Sequence, residues 1–311
     1  MQHATAYHAP VMVGEVLAHL RPERGGWFLD ATLGGGGHAE AVLEAGPEVR
    51  LIGVDRDPDA LAAAGERLGR FGTRLQLVRA NFAAAREAAG IADGTLTGAL
   101  LDLGISSHQI DDDVRGFTFR RGAPLDMRMA RATEGNPTAA ELLNELDEHE
   151  LADIFFHFGE ERRSRKLARI VVSMRQERTF QHSDQLVAAV RRTLGPTTGP
   201  SDYARIFQAL RIAVNSEIDE LQVALPQLRD ALAPGGVLAI LSYHSLEDRL
   251  VKNAFRDWST ACSCPPALPG CVCSGVALGA TLTRKPVEAS PAEVASNPRA
   301  RSARLRAWRH G

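Results

Sequence analysis

The stretch Asp30-Ala-Thr-Leu-Gly-Gly-Gly-Gly-His38 decides how the chain folds. A short apolar run, Trp27 to Ala31, leads into it, and a helical pattern from Gly37 to Ala45 leads out. Glycines between a strand and a helix let backbone approach a ligand with no Cβ in the way. The helix N-terminus adds unpaired N–H groups. Dinucleotide-binding enzymes share such turns, so the surroundings carry the reading. Asp30 closes the strand. A carboxylate there repels a pyrophosphate but suits a ligand carrying an ammonium and a sulfonium. Asp55 closes the next strand, 18 residues after Gly37, where a carboxylate can accept hydrogen bonds from ribose hydroxyls.

Outward from this loop, strand and helix patterns alternate. Val49 to Val54 reads as the second strand, Pro58 to Leu68 as an Ala-rich helix and Leu75 to Val78 as the third strand. Ala83 to Ala89 reads as another helix and Ala99 to Leu103 as the fourth strand. Such alternation predicts a parallel, doubly wound α/β sheet. It stops after residue 110. Helical patterns follow: Thr138 to Phe158, Ser164 to Arg175, Ser183 to Leu194 and a long one from Tyr203. It resumes at Ala233-Pro-Gly-Gly236 with the apolar strand Val237 to Leu241 and a helix from Ser245 to Trp258. The expected organisation is a first α/β part over 1–110, a helical insertion over 111–215 and a second α/β part with a basic tail over 216–311. Insertions enter at loops beyond the carboxyl ends of strands, where open α/β sheets place their ligands.

Further candidates follow from that placement. Asn81 and Phe82 end the third strand; the Phe82 ring either packs on adenine or fills the core. Asp102 ends the fourth strand in Leu-Leu-Asp-Leu-Gly-Ile-Ser-Ser107 and should point into the crevice. Gln109 lies just past it. The acids Asp111, Asp112 and Asp113 read as a solvated loop.

Composition bounds the function. The chain has 311 residues, 44% hydrophobic and 24% charged, enough for a large core without covalent staples. No apolar run spans a membrane, and the first ten residues lack a secretory pattern, so a cytoplasmic location is expected. All four cysteines, Cys262, Cys264, Cys271 and Cys273, lie in one short stretch. They form either a reduced loop or a metal site of unusual C-x-C spacing. The net charge is −2, yet cations cluster at Arg162, Arg163, Arg165, Lys166, Arg169, Arg175 and Arg178, and again at Arg299, Arg301, Arg304, Arg306 and Arg309. Each cluster is either a local phosphate-binding surface or a solvated face and a frayed tail.

The chain resembles the bacterial RsmH (MraW) family of 16S ribosomal RNA cytosine-N4 methyltransferases. The resemblance rests on His8-Ala-Pro-Val11, the Asp30 to His38 loop, Asp102-Leu-Gly-Ile-Ser-Ser-His-Gln109 and Arg115-Gly-Phe-Thr-Phe119. It continues through Pro124-Leu-Asp-Met-Arg-Met129, Gly159-Glu-Glu-Arg162, Phe207-Gln-Ala-Leu-Arg-Ile212, Ser242-Tyr-His-Ser-Leu-Glu-Asp248 and Asn297-Pro-Arg-Ala-Arg301. It implies a class I, Rossmann-like methyltransferase fold with an inserted all-helical domain. It implies S-adenosyl-L-methionine as cofactor, held at Gly36, Gly37, His38, Asp55, Phe82, Asp102 and Gln109. It also implies a decoding-centre cytidine as target, so 16S rRNA or the small ribosomal subunit is the expected partner. A homodimer is compatible with the sequence but not specified by it. Arg121-Gly-Ala123 departs from the acidic residue expected before Pro124.

The chemistry sets its own demands. The cytosine amino lone pair is delocalised, so the site must offer an acceptor for an N4 proton and hold the base unstacked. Asp102, or the carbonyls after it, is the candidate acceptor, and Tyr243 the candidate stacking ring. Methylation at C5 needs a cysteine nucleophile near the fourth or fifth strand, and the cysteines lie elsewhere. A nicotinamide dehydrogenase is the rival enzyme class. Asp30 and the Pro-Gly-Gly turn, common in methyltransferases, argue against it. A catalytically silent RNA-binding protein is the rival outside enzymes. The Arg162 to Lys166 cluster, with Arg120, Arg128, Phe117 and Phe119, is the candidate RNA surface.

Overall fold

The structure is a computed structural model that describes residues 10–105, 109–110, 112–130, 135–262, 264 and 275–311. His8, Ser106, Ser107, His108, Asp111, Cys271 and Cys273 lie outside the described residues. The chain forms two compact units, Met1–Gly104 with Asp219–Gly311, and Ile105–Ile218.

In the first unit, helix α1 (Val13–Leu20) precedes β1 (Gly26–Asp30), α2 (Gly37–Glu44), β2 (Val49–Asp55), α3 (Pro58–Leu68), β3 (Leu75–Arg79), α4 (Ala85–Ala88) and β4 (Leu96–Asp102). Strands β1, β2 and β4 read as nearly unbroken apolar runs because a parallel sheet is covered on both faces. Phe28 and Leu29 belong to different core clusters, as neighbouring strand residues point to opposite sides. Helix α3 starts where the sequence says it should. Pro58 opens it, and the Asp57 carboxylate accepts from the Asp59 N–H at 3.1 Å.

The second unit is helical: α5 (Ala139–Glu145), α6 (Glu148–His157), α7 (Ser164–Glu177), α8 (Ser183–Leu194) and α9 (Pro200–Asn215). Its core includes Leu143, Phe155, Val171, Leu186 and Ile206. The single helix expected from Thr138 to Phe158 is two, α5 and α6. Asp147 caps α6 and exchanges hydrogen bonds with Glu150, so the chain turns at Leu146. The long helix expected from Tyr203 is α9, which ends at Ser216, a left-handed residue with φ 52°. Asn215, buried at the end of α9, donates to the Met127 carbonyl and accepts from the Met129 N–H, both at 2.8 Å. It thereby fixes the strained Met127, whose φ is 62°.

Helix α10 (Glu217–Ala231) leads back to β5 (Leu232–Ser242) and α11 (Ser245–Trp258). Short strands β6 (Gly279–Thr281) and β7 (Val287–Glu288), helix α12 (Pro291–Ser296) and strand β8 (Arg304–His310) complete the first unit. The sheet order is β3-β2-β1-β4-β5-β8-β6, with β7 also on β8. Strands β1 to β5 are parallel, and β8 is antiparallel to β5. This is the Rossmann-like arrangement, and the order reverses between β1 and β4, the switch point of an open α/β sheet.

Arg304 to Arg309 are not the frayed basic tail that their composition suggests. They form a strand inside the sheet, with Trp308 fully buried. Arg306 is buried and donates from Nε and Nη2 to the two Asp248 carboxylate oxygens at 2.6 and 3.2 Å.

Candidate active site at the ends of the parallel strands

Asp30, Asp55 and Asp102 are the last residues of β1, β2 and β4. These strands are adjacent, so the three carboxyls converge at one end of the sheet. Backbone N–H groups hold two of them, Asp30 and Asp55. The Thr32 N–H donates to Asp30 Oδ1 at 3.2 Å. The Gly34 and Asp57 N–H groups donate to the two Asp55 oxygens, each at 2.8 Å. The Asp102 N–H donates to Thr32 Oγ1 at 2.6 Å, tying the end of β4 to the glycine loop.

Burial penalises three anions so close together. Asp30 is 2% exposed, and its pKa is pushed up to about 6, first by burial and further by Asp102 and Asp55, against the favourable His38. Burial also raises Asp55, opposed by the two backbone donors. It raises Asp102, opposed by His38 and Tyr243. A crevice of this kind rejects phosphate and gains from a bound cation.

The glycine loop is built for closeness. Gly36 has φ 78°, and a Cβ there would lie 2.9 Å from Leu68 Cδ1 of α3. A Cβ on Gly37 would meet the Pro10 ring at 2.9 Å. These two glycines let α2 start against its neighbours, while Gly34, with φ 50°, is needed for its left-handed backbone rather than for space.

His38, on the first turn of α2, is buried. Its Nε2 donates to the Val11 carbonyl at 2.8 Å, and its Nδ1 lies 3.6 Å from Asp102 Oδ2. Tyr243 follows β5. Its hydroxyl donates to Asp102 Oδ1 at 2.7 Å, and the residue packs partly buried against the core cluster that includes Val11 and Leu241. Burial and the neighbouring Asp102 carboxylate hold the Tyr243 hydroxyl well above its ordinary pKa, so it stays protonated. Phe82 packs partly buried against the second core cluster. Gln109 belongs to the helical unit, where its Nε2 donates to the Met129 carbonyl at 3.4 Å.

Several partners carry no sequence signal of their own. Glu220 of α10 accepts from Arg56 Nη2 at 2.6 Å and from Asn81 Nδ2 at 3.1 Å, tying the residues after β2 and β3 together. Glu247 accepts from the Tyr243 N–H at 2.8 Å and holds the start of α11.

A family model described as the MraW methylase family matches residues 5–310. The chain belongs to the MraW methylase family. Ribosomal RNA small subunit methyltransferase H of Gemmatimonas aurantiaca is 56% identical over 97% of this chain and 95% of its own length. Its namesake in Geobacter sulfurreducens is 48% identical over 97% of this chain and 98% of its own. Among solved structures, NSun6 from Pyrococcus horikoshii aligns with a TM-score of 0.40 and 12% identity, covering 99% of this chain and 55% of that one.

In this MraW-family chain the two basic clusters divide into different kinds of cation. Lys166 Nζ donates to the Thr193 carbonyl at 3.0 Å and Arg163 Nη1 to the Leu194 carbonyl at 3.3 Å, at the C-terminus of α8. Arg175 donates to the Leu143 and Leu146 carbonyls. Arg162 and Arg165 are exposed and make no ion pair or hydrogen bond among the described residues. Arg120 lies 3.2 Å from Asp113, and Arg128 is paired with Asp126 through two hydrogen bonds. Phe117 packs against the helical core, whereas Phe119 is 38% exposed beside Tyr203 and Phe207. Of the four cysteines, Cys262 and Cys264 lie among the described residues. Among the described residues no helix is long and apolar enough to cross a membrane.

Proposed function

We propose that this chain transfers the methyl group of S-adenosylmethionine to the exocyclic N4 of a decoding-centre cytidine in 16S rRNA. The observation that carries the reading is the convergence of three carboxyls at the switch point, one of them buried with its pKa pushed up to about 6. Such a site gains most from a ligand bearing an ammonium and a sulfonium. The names of the curated relatives supply the RNA, small-subunit rRNA.

When bound, S-adenosylmethionine supplies an electrophilic methyl carbon. The chain's residues do the rest. Gly36, Gly37 and the His38 backbone would line the turn where the ligand approaches, Asp55 would accept from ribose hydroxyls, and Phe82 would pack against the adenine. Asp102 accepts a proton from N4, which lets the nitrogen lone pair leave conjugation with the ring. Tyr243 acts through Asp102, because its hydroxyl is already committed to that carboxylate. Arg162 and Arg165 bind phosphate, and Phe119 offers a ring to an unstacked base.

The test is methyl transfer to small subunits, and to free 16S rRNA, from a strain lacking the modification. The modified nucleoside is then identified and its position mapped by mass spectrometry. N4-methylcytidine at the decoding centre is expected. A methyl on C5, or none on either substrate, would overturn the reading.

A further inference from the structure

Among the described residues, Tyr243 and His38 present side-chain polar atoms to the Asp102 carboxylate, and their hydrogen-bond directions give them different roles. Tyr243 donates to Oδ1 at 2.7 Å and, being protonated already, cannot take another proton. His38 is tethered from its far side. The Val11 carbonyl can only accept, so the proton in that 2.8 Å bond belongs to His38 Nε2. In a neutral ring the Nδ1 lone pair is then what faces Asp102 Oδ2 at 3.6 Å. Two lone pairs facing each other repel, so the contact becomes attractive only when a proton lies between them. The ring is buried at the start of α2 and cannot swing away to find another partner.

We propose that His38 is the positioning and proton-relay partner of Asp102: it takes from Asp102 the proton shed by N4, so that the carboxylate is restored within the closed site. The inference rests on the N4-methylation reading given above. As the new N4–C bond forms, the S–C bond breaks and its electron pair stays on sulfur. N4 sheds one proton to Asp102 Oδ2. That proton passes to His38 Nδ1 and leaves an imidazolium beside a carboxylate. It goes to solvent when product leaves, and no further reactant is needed. The groups that face the pair are Asp30 from β1, Tyr243 from the loop after β5 and Glu247 from α11. Asp30, Asp102, Glu247 and Tyr243 carry no positive charge, so the charge of the relayed proton rests on His38.

The experiment compares wild type with His38→Asn and His38→Gln. It reads single-turnover methylation across pH with cofactor saturating, and cofactor affinity separately by calorimetry. In wild type the rate falls at low pH as the acceptor pair fills with protons. Removing His38 leaves Asp102 as the only acceptor, and one site binds a proton more weakly than the pair, so the acid limb moves to lower pH. The rate on the plateau drops between about tenfold and a hundredfold. Loss of packing alone lowers affinity or stability and leaves the limb where it was. A second measurement needs no variant. In wild-type protein with 15N-labelled histidine, His38 Nδ1 takes a proton over the same pH interval as the rate limb. An unmoved limb in a folded, cofactor-saturated variant, or an Nδ1 that stays unprotonated across that interval, overturns the relay. If wild type itself places no methyl on N4, the proposed function fails instead, and the two failures are distinct.

Discussion

Asp30 is the residue where function and stability pull apart. A fully enclosed carboxyl beside two others costs the ligand-free protein free energy whenever it is ionised. The folded pKa, about 6, lies above the ordinary 3.8. Between these values the folded chain binds more protons than the unfolded one, so stability falls as pH rises through that window. The cost is complete above about pH 6. Asp30→Asn removes the charge and keeps the shape. At pH 8 it should therefore stabilise the ligand-free protein by up to about 3 kcal/mol, because each tenfold change in proton affinity is worth roughly 1.4 kcal/mol. The gain should shrink as pH falls below 6, where wild type is already protonated. The same variant should bind S-adenosylmethionine more weakly, because the cation loses a counter-charge. Chemical denaturation at pH 5 and pH 8, beside calorimetric titration, checks both. Equal stabilities at the two pH values would contradict the burial argument. Asp102 offers a complementary test. Asp102→Asn preserves the neighbours but cannot accept a proton, so single-turnover methylation with saturated cofactor should fall by about 10² to 10⁴.

At the scale of elements, β8 shows how a sequence pattern can hide a strand. Arg304-Leu-Arg-Ala-Trp-Arg-His310 looks like a basic tail because three of its seven residues are arginines. The structure buries Arg306 by neutralising it with Asp248 of α11 through two hydrogen bonds, a long-range partner that no local periodicity reveals. Breaking one side of such a pair leaves a buried charge alone. Arg306→Leu should destabilise by about 3–5 kcal/mol, whereas exchanging both Arg306 and Asp248 for apolar residues of similar volume should cost much less. Urea unfolding of the single and double variants tests this, and equal losses in the two would refute it. Strands β1, β2, β4 and β5 were legible for the opposite reason: burial on both faces leaves apolar runs between turn residues. The break before α6 was also written locally, in Asp147 three residues before Glu150, but helical periodicity running across it hides the turn. In the site, the strand-end acids Asp30, Asp55 and Asp102 were legible because topology alone places them. Thr32, Glu220 and the far side of His38 were not. Their partners lie 70, 164 and 27 residues away and leave no spacing to read.

For the whole molecule, a net charge of −2 means that overall attraction cannot bring RNA to the protein, so local cations must do it. Those cations are not equivalent. Lys166 and Arg163 are occupied with the last carbonyls of α8, where positive charge also favours the helix dipole. Arg162 and Arg165, exposed nearby in sequence, have no such structural duty among the described residues. The two sets should therefore separate in experiment. Replacing both Arg162 and Arg165 by Ala should leave the melting temperature unchanged. It should reduce the slope of log affinity against log salt by about 1.4, near 0.7 for each phosphate of single-stranded RNA that is no longer neutralised. Lys166→Ala should instead lower stability by about 0.3–1 kcal/mol through the helix terminus, with a smaller change in slope. Filter binding of an rRNA fragment across a salt series, read beside thermal melts, distinguishes the two behaviours. If the double variant keeps the wild-type slope, phosphate binding lies elsewhere on the chain, and the exposed arginines of the helical unit are only a solvated face.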